Sequence, residues 1–284
     1  MTAYVTERQW DAVRASVRAT TDRFCDMVSS IPDPTMKATA KWSVADFTAH
    51  VTSISFLNTM LLQVADAPFE MPNLTEAIAA TRVEDVHALN DQVMSYFTER
   101  DTAALLAILR DRVDLMLAAS EHHDPTDTFS WLGAAQLPLA GMFAHLVNEL
   151  LIHGNDIARP MRVPWAMPPQ DAALCFDLFY VGLVNGDSGR LLADSKRPVR
   201  RRIAVEFRSA YTTPVTLVVR NGTTSSEPPG SGADVKIRFD PATLNMMLFG
   251  RISRPRAALT GKIVISGRRP WLLPAFLRTL RLPS

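Results

Sequence analysis

Residues Gly141 to Ile157 read GMFAHLVNELLIHGNDI, and this stretch decides the fold. His145, Glu149 and His153 recur every four residues and Asp156 follows three later. On a helix of 3.6 residues per turn they form one slowly drifting polar stripe. Met142, Leu146, Leu150 and Ile157 flank it on one shoulder and Ala144, Val147 and Leu151 on the other, which sets the stripe in packed interior. An ionised carboxylate there is costly unless it is paired or coordinates a metal.

Working outward, a second helical stretch supplies a partner: residues 42 to 56, WSVADFTAHVTSISF. Ser43 is the expected N-cap, and Val44, Phe47, Val51 and Ile54 to Phe56 make an apolar face that carries His50 near its middle. If the two helices pack antiparallel or nearly so, His50, Glu149 and His153 close on a single ion. Two imidazoles and one carboxylate with a fourth position open is the ligand set of a catalytic zinc site. Spacing alone leaves a second arrangement open, in which Glu149 and His153 are a buried intrahelical pair and His50 is an unrelated core residue. His145 is either a donor standing behind the ligands or a satisfied core histidine.

The WSVADFTAH run ending at His50, followed about a hundred residues later by Glu149-x-x-x-His153-Gly-x-Asp156, resembles the N-terminal domain of the mycothiol-dependent maleylpyruvate isomerases. These belong to the wider group of DinB-like four-helix bundles that serve as metal-dependent thiol transferases. The resemblance covers roughly the first 160 residues. It implies that His50, Glu149 and His153 are the ligands of a divalent metal, zinc above all, with mycothiol as cosubstrate. Asp156 matches the family's acidic residue one turn after the last ligand, and Asp156 or His145 is then the group that orients a ligand imidazole.

The rest of the N-terminal part is helical by the same reasoning. Thr6 opens a capping box with Gln9 and starts a helix running to about Ser29, stopped by Pro32 to Pro34. The His50 helix is expected to reach Val64, residues 67 to 73 to form a loop, and Val83 to Phe97 and Thr102 to Ser120 to be two further helices, with Asp101 and Thr102 as the cap. With the helix from Leu137 to Ala158 this gives an antiparallel bundle whose core can hold a metal. Residues 121 to 131 read as a polar loop; His122 and His123 there, like His87, read as solvated.

The proline-rich segment from Pro160 to Pro169 is the expected linker, dividing a domain at 1–163 from one at 164–284. Gln170 to Val184 resumes a helix. After the basic run from Lys196 to Arg202 the period changes to two: Ile203 to Phe207, Val215 to Val219 and Val235 to Phe239 read as strands of an antiparallel sheet, separated by Asn221-Gly222 and Pro228-Pro229-Gly230. Pro241 to Phe249 is an expected helix, Lys262 to Gly267 a closing strand and Pro270 to Leu280 a last helix. The strand ending in Phe239-Asp240, the helix from Leu244 to Arg251 and the run AALTGKIVISG at 257–267 resemble the sterol-carrier-type α+β domain. That resemblance leaves a lipid or acyl ligand open for the C-terminal part, and with it a second function class, a carrier protein with a metal-binding helical domain and no catalysis.

Composition bounds the function. No run approaches the ~18 apolar residues that span a bilayer, and the sequence from Met1 lacks the basic start and apolar core of a signal peptide, so a cytoplasmic protein is expected. Cys25 and Cys175 lie far apart inside helical patterns and read as small buried hydrophobes. The net charge of +1 hides a division. Residues 1–194 hold 13 Lys and Arg against 25 Asp and Glu, whereas residues 195–284 hold 17 against 4. The basic part carries no aromatics interleaved with its charges, which argues against nucleic-acid binding. It offers arginines to a small carboxylate or electrophilic substrate, or to an anionic thiol conjugate, where it meets the bundle.

Overall fold

In a computed structural model, residues 5–65, 69–187, 191–192 and 199–279 are described. Two helices that the sequence caps strongly frame the N-terminal part. Helix α1 (Glu7–Ser29) opens with the Thr6 and Gln9 capping box, and α2 (Val44–Leu61) with an equivalent box between Ser43 and Asp46. Residues 74–80 form α3 (Leu74–Ala80), α4 is Val86–Tyr96, and α5 (Thr102–Ala119) is capped by Asp101. Helix α6 (Leu139–Met161) carries the polar stripe. Helix α1 packs on α5 and α6, and α2 packs on the same two, which makes the four-helix bundle.

Almost every residue of α2 is buried, although it holds many hydroxyls. Thr48 donates to the Val44 carbonyl at 2.8 Å, Thr52 to that of Thr48 at 2.8 Å, and Ser53 to that of His50 at 2.7 Å. Each hydroxyl is thus satisfied inside its own helix, which lets it sit in the core.

Several boundaries differ from the sequence expectation. Helix α2 ends at Leu61, where Gln63 takes a left-handed backbone, rather than at Val64. Helix α3 falls in a segment whose short length gave no periodic signal. The stretch from Val83 begins with a single 3-10 turn before α4. In the expected loop, Thr128–Ser130 forms β1, which pairs with Gln136–Pro138 (β2) as a small antiparallel hairpin, so the helix expected from Leu137 begins at Leu139.

Helix α6 runs through Pro160 to Met161 and is closed by Arg162 in a left-handed conformation. The segment after it lies on the bundle. Trp165 donates from Nε1 to the Leu151 carbonyl at 2.9 Å, and its ring covers Gly154, where an added Cβ would lie 2.3 Å from the indole. Glycine at 154 is therefore what allows the segment to dock beside His153.

The C-terminal part starts with α7 (Pro169–Leu174), which continues through a π-helical turn at Cys175–Tyr180 into α8 (Val181–Gly186). A five-stranded sheet follows, formed by β3 (Ile203–Arg208), β4 (Val215–Arg220), β5 (Thr223–Glu227), β6 (Val235–Phe239) and β7 (Ile263–Ser266) in the order β5-β4-β3-β6-β7. The expected antiparallel sheet is present, with one parallel pair, β3 and β6, at its centre. Strand β5, of sequence TTSSE, is a polar edge strand without an apolar alternation to announce it. Helices α9 (Pro241–Leu248), α10 (Arg254–Leu259) and α11 (Leu273–Thr279) complete the part. Of the basic run, Lys196 to Pro198 lie outside the described residues, as do Ala67 and Pro68 of the expected loop and Leu280 of the last helix; Arg202 pairs with Glu227 at 2.5 Å. Among the described residues no helix is long and apolar enough to cross a membrane.

Candidate metal centre

The start of α2 fixes the first wall of the site. Ser43 caps the helix and Asp46 returns the bond, and Arg100 holds Asp46 from outside with Nε at 3.0 Å from Oδ1. Trp42 and Phe47 stand at the positions of a hydrophobic staple, one residue before the cap and four after it, with ring centroids 5.0 Å apart. This clamps the Trp42 ring 4.9 Å from that of His50 and 6.4 Å from that of His153.

From α6, Glu149 projects between three imidazoles. Its Oε2 lies 3.1 Å from His153 Nε2 and 3.6 Å from His50 Nε2, and its Oε1 lies 3.3 Å from His145 Nε2. One ligand atom from each of His50, Glu149 and His153 falls within 4.8 Å of the others, the one such group of three or more candidate side chains among the described residues. Ligand atoms about 2.1 Å from a tetrahedral zinc stand about 3.4 Å apart, and the separations of 3.6 and 3.1 Å from Glu149 Oε2 to the two histidines bracket that value. The donor set, its chemistry and its spacing therefore fit a divalent ion.

The remaining groups orient this set. Asp156 Oδ2 lies 3.2 Å from His153 Nδ1, so the ring is held with Nε2 toward Glu149. Asp156 in turn accepts from Arg251, from Nε to Oδ1 at 2.9 Å and from Nη2 to Oδ2 at 2.6 Å. Burial disfavours the charged imidazolium of His153, but Asp156 and Glu149 overcome it and lift its pKa to about 9. For Asp156 burial works against ionisation, yet His153 and Arg251 bring its pKa down to about 2. Burial lowers the pKa of His50, and that of Glu149 is held well below the usual carboxylate range by the three histidines, against its own burial.

His145 touches Glu149 but is not one of the three convergent groups. Its ring is wedged between Trp131 and Phe179, at centroid distances of 5.0 and 4.8 Å, and its buried Nδ1 has no hydrogen-bond partner. His87 stands exposed at the cavity rim, and His123 pairs with Asp127 at 3.3 Å. Both cysteines are buried; burial pushes the Cys25 thiol to about 11 and the Cys175 thiol well above its ordinary value.

The convergent atoms open on a cavity of about 390 Å³. Sequence reasoning did not single out Trp131, Asn58 or Phe249 among its walls, since nothing in their spacing marks them, and Trp42 entered only as the first residue of the run that ends at His50. Arg251 is an arginine of the kind the charge division led one to expect, brought to the bundle by the turn after α9.

A sequence model described as the mycothiol maleylpyruvate isomerase N-terminal domain matches residues 6–158. The chain belongs to this family. The matched span contains α1 to α5, α6 up to Ala158, and the whole His50, Glu149 and His153 cluster. Among solved structures, the chain is similar to a mutant of the mycothiol-dependent maleylpyruvate isomerase, with 12% sequence identity, a TM-score of 0.50 and coverage of 90% of this chain and 92% of that one. The unmutated form of that enzyme gives the same identity and coverage with a TM-score of 0.49. At this identity the likeness speaks for a shared fold extending beyond the family's N-terminal domain. No curated protein matches the sequence.

Proposed function

We propose that the chain is a metal-dependent thiol transferase or isomerase, with zinc as its metal and mycothiol as its thiol, acting on a small-molecule electrophile. The observation that supports this most is the convergence of His50, Glu149 and His153 on one point at the wall of a cavity large enough for small molecules. His50 Nε2, Glu149 Oε2 and His153 Nε2 would hold the ion. A divalent ion in that position favours the thiolate form of an incoming thiol at neutral pH. The nucleophile comes from outside, because both cysteines of the chain are buried and hold their protons.

Asp156 accepts a hydrogen bond from His153 Nδ1 and so leaves Nε2 free to serve as the ligand. His145 holds the other oxygen of Glu149, which leaves Oε2 to face His50 and His153. Trp42, Phe47 and Trp131 pack their rings against those of the histidines and brace them. On this reading residues 1–163 form the DinB-like metal domain and residues 164–284 a sterol-carrier-like domain of a cytoplasmic enzyme. Glu149→Ala should lose bound metal and thiol turnover together; turnover that persists in the metal-free variant would contradict the assignment.

A second reading, a lipid or acyl carrier without catalysis, draws on one observation. A separate cavity of about 290 Å³ lies in the C-terminal part among Phe176, Phe207, Ile237, Leu244 and Phe276, with Arg254 the single charged wall residue among the described residues. Lipid that co-purifies with a protein inactive toward thiols would favour it.

A further inference from the structure

We propose that the rim of the C-terminal cavity is a docking surface for an anionic lipid bilayer. Of the cavity's walls, Phe176, Phe207, Ile237 and Phe276 are buried and form its floor, whereas Ala258, Ile265, Pro270 and Pro274 are exposed and mark its mouth. The mouth adjoins two large apolar side chains left in solvent. Leu259 follows Ala258 at the end of α10 and is 88% exposed, and Trp271 follows Pro270 and is 68% exposed, the exposed one among the five tryptophans. Between them in the chain lies Ile265, 45% exposed, on β7, an edge strand of the sheet. Apolar side chains this far exposed around one opening mark an interaction site.

The charges around these side chains say what the partner is. Residues 241–284 hold eight Lys and Arg and no Asp or Glu. Arg254 and Arg256 precede Leu259, Lys262 follows it, and Arg268 and Arg269 stand just before Trp271; all five are exposed. The four carboxylates of residues 195–284 are each paired, Glu206 with Arg208, Glu227 with Arg202, Asp234 with Arg269 and Asp240 with Lys262, so the surplus positive charge of this part is not neutralised from within.

An indole and a leucine framed by arginines suit a bilayer interface, where the apolar groups sit at the acyl boundary and the guanidinium groups lie among lipid phosphates. Each basic residue close to an anionic membrane strengthens binding about fivefold, an attraction that salt screens. Leu259 and Trp271 turn that adsorption into shallow insertion. A second copy of the same rim would instead bring like charges together. The cavity adds to the fit, because its apolar interior of about 290 Å³ opens through this rim toward the phase that holds acyl chains.

The test is co-sedimentation of the full chain with vesicles of phosphatidylcholine alone and of phosphatidylcholine and phosphatidylserine in equal parts. Binding to the anionic vesicles should be stronger by about tenfold or more and should weaken as salt is raised. Leu259→Asp combined with Trp271→Asp, both at exposed positions, should lower it by about tenfold or more. Equal binding to the two vesicles, binding to neither, or undiminished binding by a double variant that melts like the parent would overturn the proposal. A second readout does not depend on that variant. Lipids brominated in their acyl chains should quench the tryptophan fluorescence of the bound parent, and the quenching should fall away in Trp271→Phe; quenching that persists in full would show that the chain meets the bilayer elsewhere. A parent dimer at sedimentation equilibrium that the double variant splits would give the rim to a second copy and would equally overturn the proposal.

Discussion

Glu149 is the residue on which the site turns. It is buried among three imidazoles, and its two oxygens do different jobs, Oε1 meeting His145 and Oε2 facing the pair His50 and His153. Its neighbour Asp156 works at one remove, holding His153 by one side and Arg251 by the other. Replacing Asp156 by Asn removes the charge behind His153 but keeps the shape. Metal affinity should fall by about 10- to 100-fold with the metal still bound at saturation, as read by competition with a chromophoric chelator. An unchanged affinity would mean that His153 needs no support from Asp156.

At the scale of elements, α2 shows how a local signal reaches the site. The capping box of Ser43 and Asp46 and the Trp42–Phe47 staple are ordinary helix-start devices, and here the same residues set an indole against two of the imidazoles. Ser43→Ala should cost about 1 kcal/mol of stability and lower the melting temperature by roughly 2–4 °C, measured by calorimetry on the metal-free protein. A variant that melts with the parent would show that the cap contributes nothing there.

The same helix shows what the sequence made legible. The Thr6, Ser43 and Asp101 caps, the stripe on α6 and the period-two strands β3, β4 and β6 are all written in residue spacing, and the structure places each where spacing put it. The groups that spacing missed are those whose role is set by a partner distant in the chain. Strand β5 exists because β4 offers an edge, the β1–β2 hairpin because its two halves meet, and Trp165 leaves its proline-rich surroundings to lie on Gly154. Arg251 becomes a site residue only because a turn 95 positions after Asp156 comes to rest beside it.

On the scale of the molecule, the bundle and the sheet-bearing part are joined by buried polar contacts as well as apolar ones. Asn245 on α9 donates to Asn148 on α6 at 2.8 Å and accepts from Tyr180 of the π-helical turn at 2.5 Å. That network sets α9 against the helix bearing Glu149, and so sets Arg251 over Asp156. A second junction is Asp177, which accepts from Gln9 at the start of α1 and from the Thr213 backbone. Burial raises its pKa to about 6, against the hydrogen bonds from Thr213 and Gln9. Since its folded pKa exceeds the unfolded one, near 3.9, the protonated form favours folding, and stability is lost as pH rises between those two values. Asp177→Asn removes this loss. The variant should gain on the order of 1–2 kcal/mol relative to the parent at pH 7.5 compared with pH 4, read from denaturant melts at the two pH values; an offset that does not change with pH would show that Asp177 ionises without penalty.

The fold, the walls and the charges all depend for their meaning on the ion that His50, Glu149 and His153 are proposed to hold. The most direct measurement is the metal content of protein purified without chelator, by mass spectrometry, beside His153→Ala. About one zinc per chain in the parent, lost in the variant, is the expected result. A parent that stays metal-free even after zinc is added, or a variant that keeps its metal in full, would contradict the assignment.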